Sequence, residues 1–61
     1  MKTMLDVRNL FKRFGIFIYT GNRKGDAELM EMELGELRQR GLISQEEYIK
    51  ATILLQSEKR K

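Results

Sequence analysis

Hydrophobic residues recur with helical spacing in three stretches of this chain, and glycine-containing segments separate the stretches. The first stretch carries apolar residues three or four positions apart: Met4, Val7, Leu10, Phe11 and Phe14. That spacing places them on one face of a helix. Thr3 is a suitable N-cap with Asp6 as its capping-box partner, and Gly15 suits the left-handed position that ends many helices. The pattern predicts a first helix over residues 4–14.

The second stretch has a narrower apolar stripe, formed by Ala27, Met30, Leu34 and Leu37. Asp26 is a favourable N-cap for it, and Gly41 is a favourable C-terminal glycine. These signals predict a second helix over residues 27–40. Leu29 and Met32 lie outside its apolar stripe.

The third stretch opens with a capping box, in which Ser44 is the N-cap and Glu47 is its partner. Its apolar stripe contains Tyr48, Ala51, Thr52 and Leu55, and it is broadened by Ile49 and Ile53. Such a wide stripe implies contact with two helices or with a second chain. The pattern predicts a third helix over residues 45–57, with Leu54 pointing elsewhere and residues 58–61 as a fraying charged tail.

Residues 15–25 form the one long segment without a helical pattern. Residues 16–20 are β-branched or aromatic, and such residues favour extended backbone. Side chains alternate along extended backbone, which would place Phe17 and Tyr19 on the side opposite Ile16, Ile18 and Thr20. Because no second strand pattern exists, we expect an extended connector laid over the helices. The chain is therefore predicted to be an all-α three-helix bundle, with one domain spanning residues 1–61 and an aromatic and basic loop between the first two helices.

Composition excludes several classes of protein. The 61 residues include no cysteine and no histidine, which argues against disulfides, the usual zinc sites and catalytic triads. The glutamates of the second helix are explained by a solvated acidic face, so we expect neither an enzyme nor a bound metal or cofactor. No apolar run approaches the roughly 18 residues of a membrane span, and the start of the chain is amphipathic. We therefore expect a cytoplasmic protein that does not bind membranes.

Gly21, Asn22, Arg23, Lys24 and Gly25 bear a superficial likeness to a phosphate-binding loop. The segment lacks the G-x-x-x-x-G-K-[ST] spacing of such loops. A carboxylate follows it, where it would repel a phosphate at the start of the next helix. Nucleotide hydrolysis is rejected on these grounds.

Charge is unevenly distributed along the chain, whose net charge is +3. Residues 1–25 carry six basic residues and one acidic residue, whereas residues 26–36 carry five acidic residues and no basic residue. Residues 37–61 carry six basic and three acidic residues. A basic segment of this kind attracts polyanions, but it can equally pair one helix with another.

Cations and aromatic rings occur together in the first helix and the following loop. Sites for single-stranded nucleic acid combine cations that contact phosphates with rings on which bases stack. The candidate nucleic-acid-binding residues are Arg8, Lys12, Arg13, Phe17, Tyr19, Arg23 and Lys24. The alternative is that Phe17 and Tyr19 close one end of a small hydrophobic core.

Residues 14–23 (F-G-I-F-I-Y-T-G-N-R) and 26–31 (D-A-E-L-M-E) resemble the YqgQ family of small bacterial proteins. The likeness extends to residues 6–7 and 41–43, so that it spans nearly the whole chain. The resemblance implies a three-helix bundle for which single-stranded nucleic-acid binding has been proposed. It also implies binding positions at Lys12, Arg13, Tyr19 and Arg23.

Two functions are consistent with the sequence. The first is binding of single-stranded DNA or RNA without sequence specificity, through the first helix and the loop. The second is a protein-interaction module, including a homodimer, that uses Leu29, Met32, Leu54 and the wide face of the third helix. Strong salt dependence favours the first function, and a concentration-dependent mass favours the second.

Overall fold

A computed structural model describes residues 1–60 as three α-helices, which confirms the predicted all-α bundle. Helix α1 spans Met4–Lys12, α2 spans Arg23–Gln39 and α3 spans Gln45–Arg60. Helices α2 and α3 are antiparallel, because Arg23 at the start of α2 pairs with Glu58 near the end of α3, while Arg38 late in α2 contacts Gln45 early in α3. Within residues 1–60 no helix has the combination of length and apolarity that would let it cross a membrane.

The core contains the central part of the predicted apolar stripe of α1 and the whole stripe of α2, but of the described residues of α3 only Ala51 and Leu55 are buried. Its buried members are Val7, Leu10, Phe11, Ala27, Met30, Leu34, Leu37, Ile43, Ala51 and Leu55. Ile49 and Ile53, which were expected to broaden the stripe of α3, are 46% and 63% exposed because within residues 1–60 no helix packs on that face. Met4, Phe14 and Tyr48 are partly buried against this core. Leu54 also packs against it, so the prediction that Leu54 points away from the bundle was wrong. The reason is that α1 packs on that side of α3, where Arg13 pairs with Glu47.

The ends of α1 follow the sequence signals closely. The Asp6 carboxylate accepts hydrogen bonds from the backbone N–H groups of Lys2 and Thr3 at 2.7 and 3.1 Å. The regular helix ends at Lys12 rather than at residue 14, and a tighter turn completes it. Gly15 has a φ of 71°, and the N–H of Ile16 donates to the oxygen of Phe11 at 3.1 Å, which is the long bond of a Schellman motif.

Helix α2 begins four residues earlier than predicted. Asn22, not Asp26, is the N-cap, and its side-chain oxygen accepts a 2.8 Å hydrogen bond from the N–H of Gly25. Arg23 and Lys24 therefore belong to the first turn of α2, and the predicted loop over residues 15–25 is shorter. The prediction failed because Gly25 was taken as part of the loop, although the first turn of a helix accommodates it.

Helix α3 starts at the predicted residue and ends later. The Ser44 hydroxyl accepts from the N–H of Glu47, and the Glu47 carboxylate accepts from the N–H of Ser44, both at 3.0 Å. The capping box is thus confirmed. Residues 58–60 are helical rather than a fraying tail, because Glu58 pairs with Arg23 and Lys59 pairs with Glu31 of α2. The last residue of the predicted tail, Lys61, lies outside the described residues.

Candidate nucleic-acid interface

The connector, which we define as residues 13–22, alternates between the core and solvent. Ile16 and Ile18 are partly buried against the hydrophobic core. Phe17 and Tyr19 point outward, with 76% and 84% of their surfaces exposed. This alternation over residues 16–19 has the two-residue period of extended backbone, whereas Thr20, expected on the side of Ile16 and Ile18, is exposed. The two rings therefore do not close the end of the core.

Asp26 anchors the C-terminal end of the connector from the first turns of α2. Only 3% of this residue is exposed, and its Oδ1 atom accepts hydrogen bonds from the N–H and the hydroxyl of Thr20 at 2.7 and 2.6 Å. These bonds, chiefly the one from the hydroxyl, lower the pKa of the Asp26 carboxyl below its ordinary value. Asp26 is thus a buried tie between α2 and the connector.

Arg8 of α1 holds the middle of the same connector. Its Nη1 atom donates a 2.8 Å hydrogen bond to the backbone oxygen of Ile18. Its Nη2 atom lies 3.6 Å from Oδ2 of Asp26. The guanidinium therefore joins α1, the connector and α2, while the Arg8 side chain remains 41% exposed.

Two surface grooves flank the exposed rings. The first has a volume of about 350 Å³ and lies between α1 and the connector; Arg8, Asn9, Lys12, Phe17, Ile18 and Tyr19 are among its lining residues. The second has a volume of about 430 Å³, and its lining includes Arg8, Tyr19, Arg23, Asp26 and Glu58. Tyr19 and Arg8 line both grooves, so they form the ridge between them.

The remaining candidate cations are distributed less compactly. Arg13 pairs with Glu47 at 2.9 Å and Arg23 pairs with Glu58 at 3.0 Å. Lys12 and Lys24 are exposed, and within residues 1–60 neither of them forms an ion pair. Four of the predicted residues lie together at the first groove: Arg8, Lys12, Phe17 and Tyr19. Arg23 lies at the second groove. Arg13 and Lys24 line neither groove.

Some residues of this region were absent from the sequence-based set. Asn9 lines the first groove, and its spacing of three residues from Lys12 on α1 would have indicated their shared face. Thr20 and Asp26 hold the connector in place, but no local motif links two residues six positions apart across a helix start. That relationship depends on how the connector folds back onto the start of α2.

The glutamates of α2 line neither groove beside the rings, whereas Asp26 lines the second groove. Glu31 accepts hydrogen bonds from Gln56 and Lys59 of α3. Glu33 and Glu36 line a third groove, which also includes Phe14 and Ile16 of the connector. Residues 1–60 contain no group of three side chains suited to holding a metal ion. The carboxylates therefore border the candidate interface without occupying its first groove.

Comparison with known proteins places the whole chain in one protein family. A family model described as YqgQ-like matches residues 1–61. A protein of Bacillus subtilis (strain 168), named "Uncharacterized protein YqgQ", is 38% identical over 58 residues. The matched region covers 95% of this chain and 82% of that protein.

Proposed function

This chain belongs to the YqgQ-like family, and we propose that it is a small cytoplasmic protein that binds single-stranded nucleic acid without sequence specificity. The observation that carries the proposal is the outward orientation of Phe17 and Tyr19 on an anchored connector. Exposed rings of this kind provide stacking surfaces for unpaired bases, whereas the bases of a duplex already stack on one another. The proposal therefore includes a preference for single strands.

The cations around the rings support the proposal electrostatically. Lys12 lines the first groove beside both rings, and Arg23 lines the second groove beside Tyr19. The Arg23 side chain is 69% exposed, although its partner Glu58 is only 11% exposed, so the guanidinium has donors that a phosphate can reach from the solvent side. Arg13 is paired at the surface in the same way. A strand that follows these side chains keeps clear of the glutamates of α2, which line neither groove, and meets Asp26 and Glu58 only at the second groove.

The proposal is tested by fluorescence anisotropy with labelled 12-nucleotide dT and rU strands and a 12-base-pair duplex. With three or four phosphates neutralised, log affinity for a single strand should fall with log salt at a slope of about −2 to −3. Arg23→Ala should flatten this slope by about 0.7, because it removes one phosphate contact. Tyr19→Ala should weaken binding about 5- to 150-fold with little change in slope, because stacking releases no counterions.

A control variant separates these effects from a general loss of positive charge. Lys50 is an exposed lysine of α3 that pairs with Glu46 and lines none of the grooves beside the rings. Lys50→Gln should leave affinity for the strand nearly unchanged. If Arg23→Ala and Tyr19→Ala bind as tightly as the parent, the connector is a structural cover and the nucleic-acid proposal fails.

Exposed apolar residues favour a second candidate function, a protein-interaction or homodimerising module. Met32 of α2 is 71% exposed and Ile53 of α3 is 63% exposed, although both are large hydrophobic residues. Contact with a second chain would remove them from water. Sedimentation equilibrium distinguishes this candidate: a dimer at micromolar concentration supports it, and a 7.2 kDa species at every concentration excludes the homodimer.

A further inference from the structure

We infer that Phe17 and Tyr19 form a clamp that holds one unpaired base between their rings. This inference rests on the proposed nucleic-acid function and specifies the ligand of the same site. It differs from the simpler arrangement in which each ring stacks on its own base. Both rings line the groove between α1 and the connector, and both are exposed enough for a base to enter between them.

The separation of the two rings along the sequence suits one base. Alternate residues of extended backbone project to the same side and lie about 6.6 Å apart along the chain. Stacked bases are separated by about 3.4 Å, so a base with one ring on each face requires a gap of about 6.8 Å. Residues 17 and 19 are two positions apart, and their exposed side chains alternate with the partly buried Ile16 and Ile18, as this arrangement requires.

The backbone that carries the rings is held at three points. The N–H of Ile16 bonds to the oxygen of Phe11, Arg8 bonds to the oxygen of Ile18, and Thr20 bonds to Asp26. Every residue next to a ring is therefore tied to a helix. A clamp held in this way loses little conformational entropy when it closes on a ligand, which favours binding.

The groove beside the clamp has the polarity that a nucleotide requires. Phe11, Ile18 and Met30 contribute apolar surface, while Asn9 and Lys12 contribute polar groups. Within residues 1–60 the Asn9 amide has no hydrogen-bond partner, so it is available to the edge of a base. The Lys12 ammonium is available to the adjoining phosphate. The groove has a volume of about 350 Å³, and small-ligand sites have volumes of roughly 300–1,000 Å³. The groove is therefore of a size suited to one nucleotide rather than to several.

The clamp is tested by a double-mutant cycle of Phe17→Ala and Tyr19→Ala, with affinity for an eight-nucleotide dT strand as the measured quantity. If both rings hold one base, each single substitution weakens binding about 5- to 150-fold, and the loss in the double variant departs from the product of the two single losses, because both substitutions act on the same base. If each ring holds its own base, the two losses multiply, and the clamp is refuted. Circular dichroism checks that all three variants are folded. We expect them to fold because the two substituted rings are exposed.

A second measurement counts the bases directly. It uses eight-residue strands that are abasic except for one thymine, or except for two adjacent thymines. If the clamp holds one base, a strand with one thymine should bind with the whole part of the affinity that Tyr19→Ala removes. A second thymine should raise the affinity by no more than about twofold, because it only doubles the number of bases that can enter the clamp. A large further gain from the second thymine overturns the clamp but leaves the proposed function intact. A parent protein that binds no single strand overturns both.

Discussion

The Nη1 atom of Arg8 lies 2.8 Å from the backbone oxygen of Ile18, ten residues further along the chain. This bond joins α1 to the segment that presents the two exposed rings. An arginine that the sequence indicates as a phosphate contact is therefore also a support for the connector. Its removal should change the shape of the candidate interface as well as its charge.

Arg8→Met should destabilise the protein by about 1–2 kcal/mol. The substitution keeps much of the side-chain length but leaves the Ile18 oxygen and the Asp26 carboxylate without their arginine partner. Lys12→Met is the matched control, because Lys12 lies on the same helix without an ion pair in residues 1–60, and it should change stability by less than about 0.5 kcal/mol. Urea denaturation measures both free energies of unfolding. Equal stabilities of the two variants would show that Arg8 does not support the connector.

Substitutions along the connector should alternate in their effect on stability. Tyr19→Ala and Phe17→Ala should each change the free energy of unfolding by no more than about 0.5 kcal/mol, because both rings are exposed. Ile18→Ala should cost about 1–2 kcal/mol, because that side chain is partly buried against the core. Thermal unfolding of the three variants tests the pattern. A destabilised Tyr19→Ala protein would indicate that the ring packs against the bundle.

Ser44→Ala should lower the free energy of unfolding by about 0.5–2 kcal/mol. The Ser44 hydroxyl accepts the hydrogen bond that caps the N–H of Glu47 at the start of α3. Ser57→Ala is the control, since Ser57 is an exposed serine inside the same helix. Chemical denaturation of both variants gives the difference, and a Ser44→Ala protein as stable as the parent would place the start of α3 elsewhere.

Acid should weaken the tie between Asp26 and Thr20. The pKa of the Asp26 carboxyl is lower in the folded chain than in an unfolded chain, so the unfolded chain binds protons more readily. The resulting stability is fully present above the unfolded pKa, near pH 4, and is lost as pH falls through the folded pKa.

The pH effect is measured by comparing the parent with Asp26→Asn between pH 7 and pH 2.5. The parent should be the more stable protein at neutral pH, and the difference should shrink below about pH 4. The lowered pKa values of Asp6 and Glu47 contribute a similar acid dependence to both proteins, so the comparison isolates Asp26. A difference that stays constant over this range would contradict the assigned role of the carboxylate.

Much of the fold follows from local patterns in the sequence. The buried stripes of α1 and α2, the Ser44 capping box and the left-handed glycines at positions 15 and 41 were all predictable, because each depends on residues within one helical turn. The alternation along the connector was predictable for the same reason. Local geometry decides which side chains share a face, whatever the rest of the chain does.

The start of α2 and the length of α3 required the tertiary structure. Asn22 and Asp26 both belong to residue types that favour the N-cap position. In the structure Asn22 is the N-cap of α2, while the Asp26 carboxylate accepts a hydrogen bond from Thr20 and pairs with Arg8. Likewise, α3 continues to Arg60 because contacts with α2 stabilise its last turn. Helix ends respond to such distant partners because the free energy of adding one more residue is close to zero.

The candidate interface likewise has some features that the sequence predicts and others that only the tertiary structure decides. The sequence by itself determined that cations and rings occur close together in α1 and the connector, and that Phe17 and Tyr19 share a side. Only the tertiary structure decided which side faces water, because that depends on where the core lies relative to the connector. It also assigned the cations to different partners: Arg8 to the connector, Arg13 and Arg23 to carboxylates of α3. Ion pairs between helices depend on packing, which no local spacing in the sequence specifies.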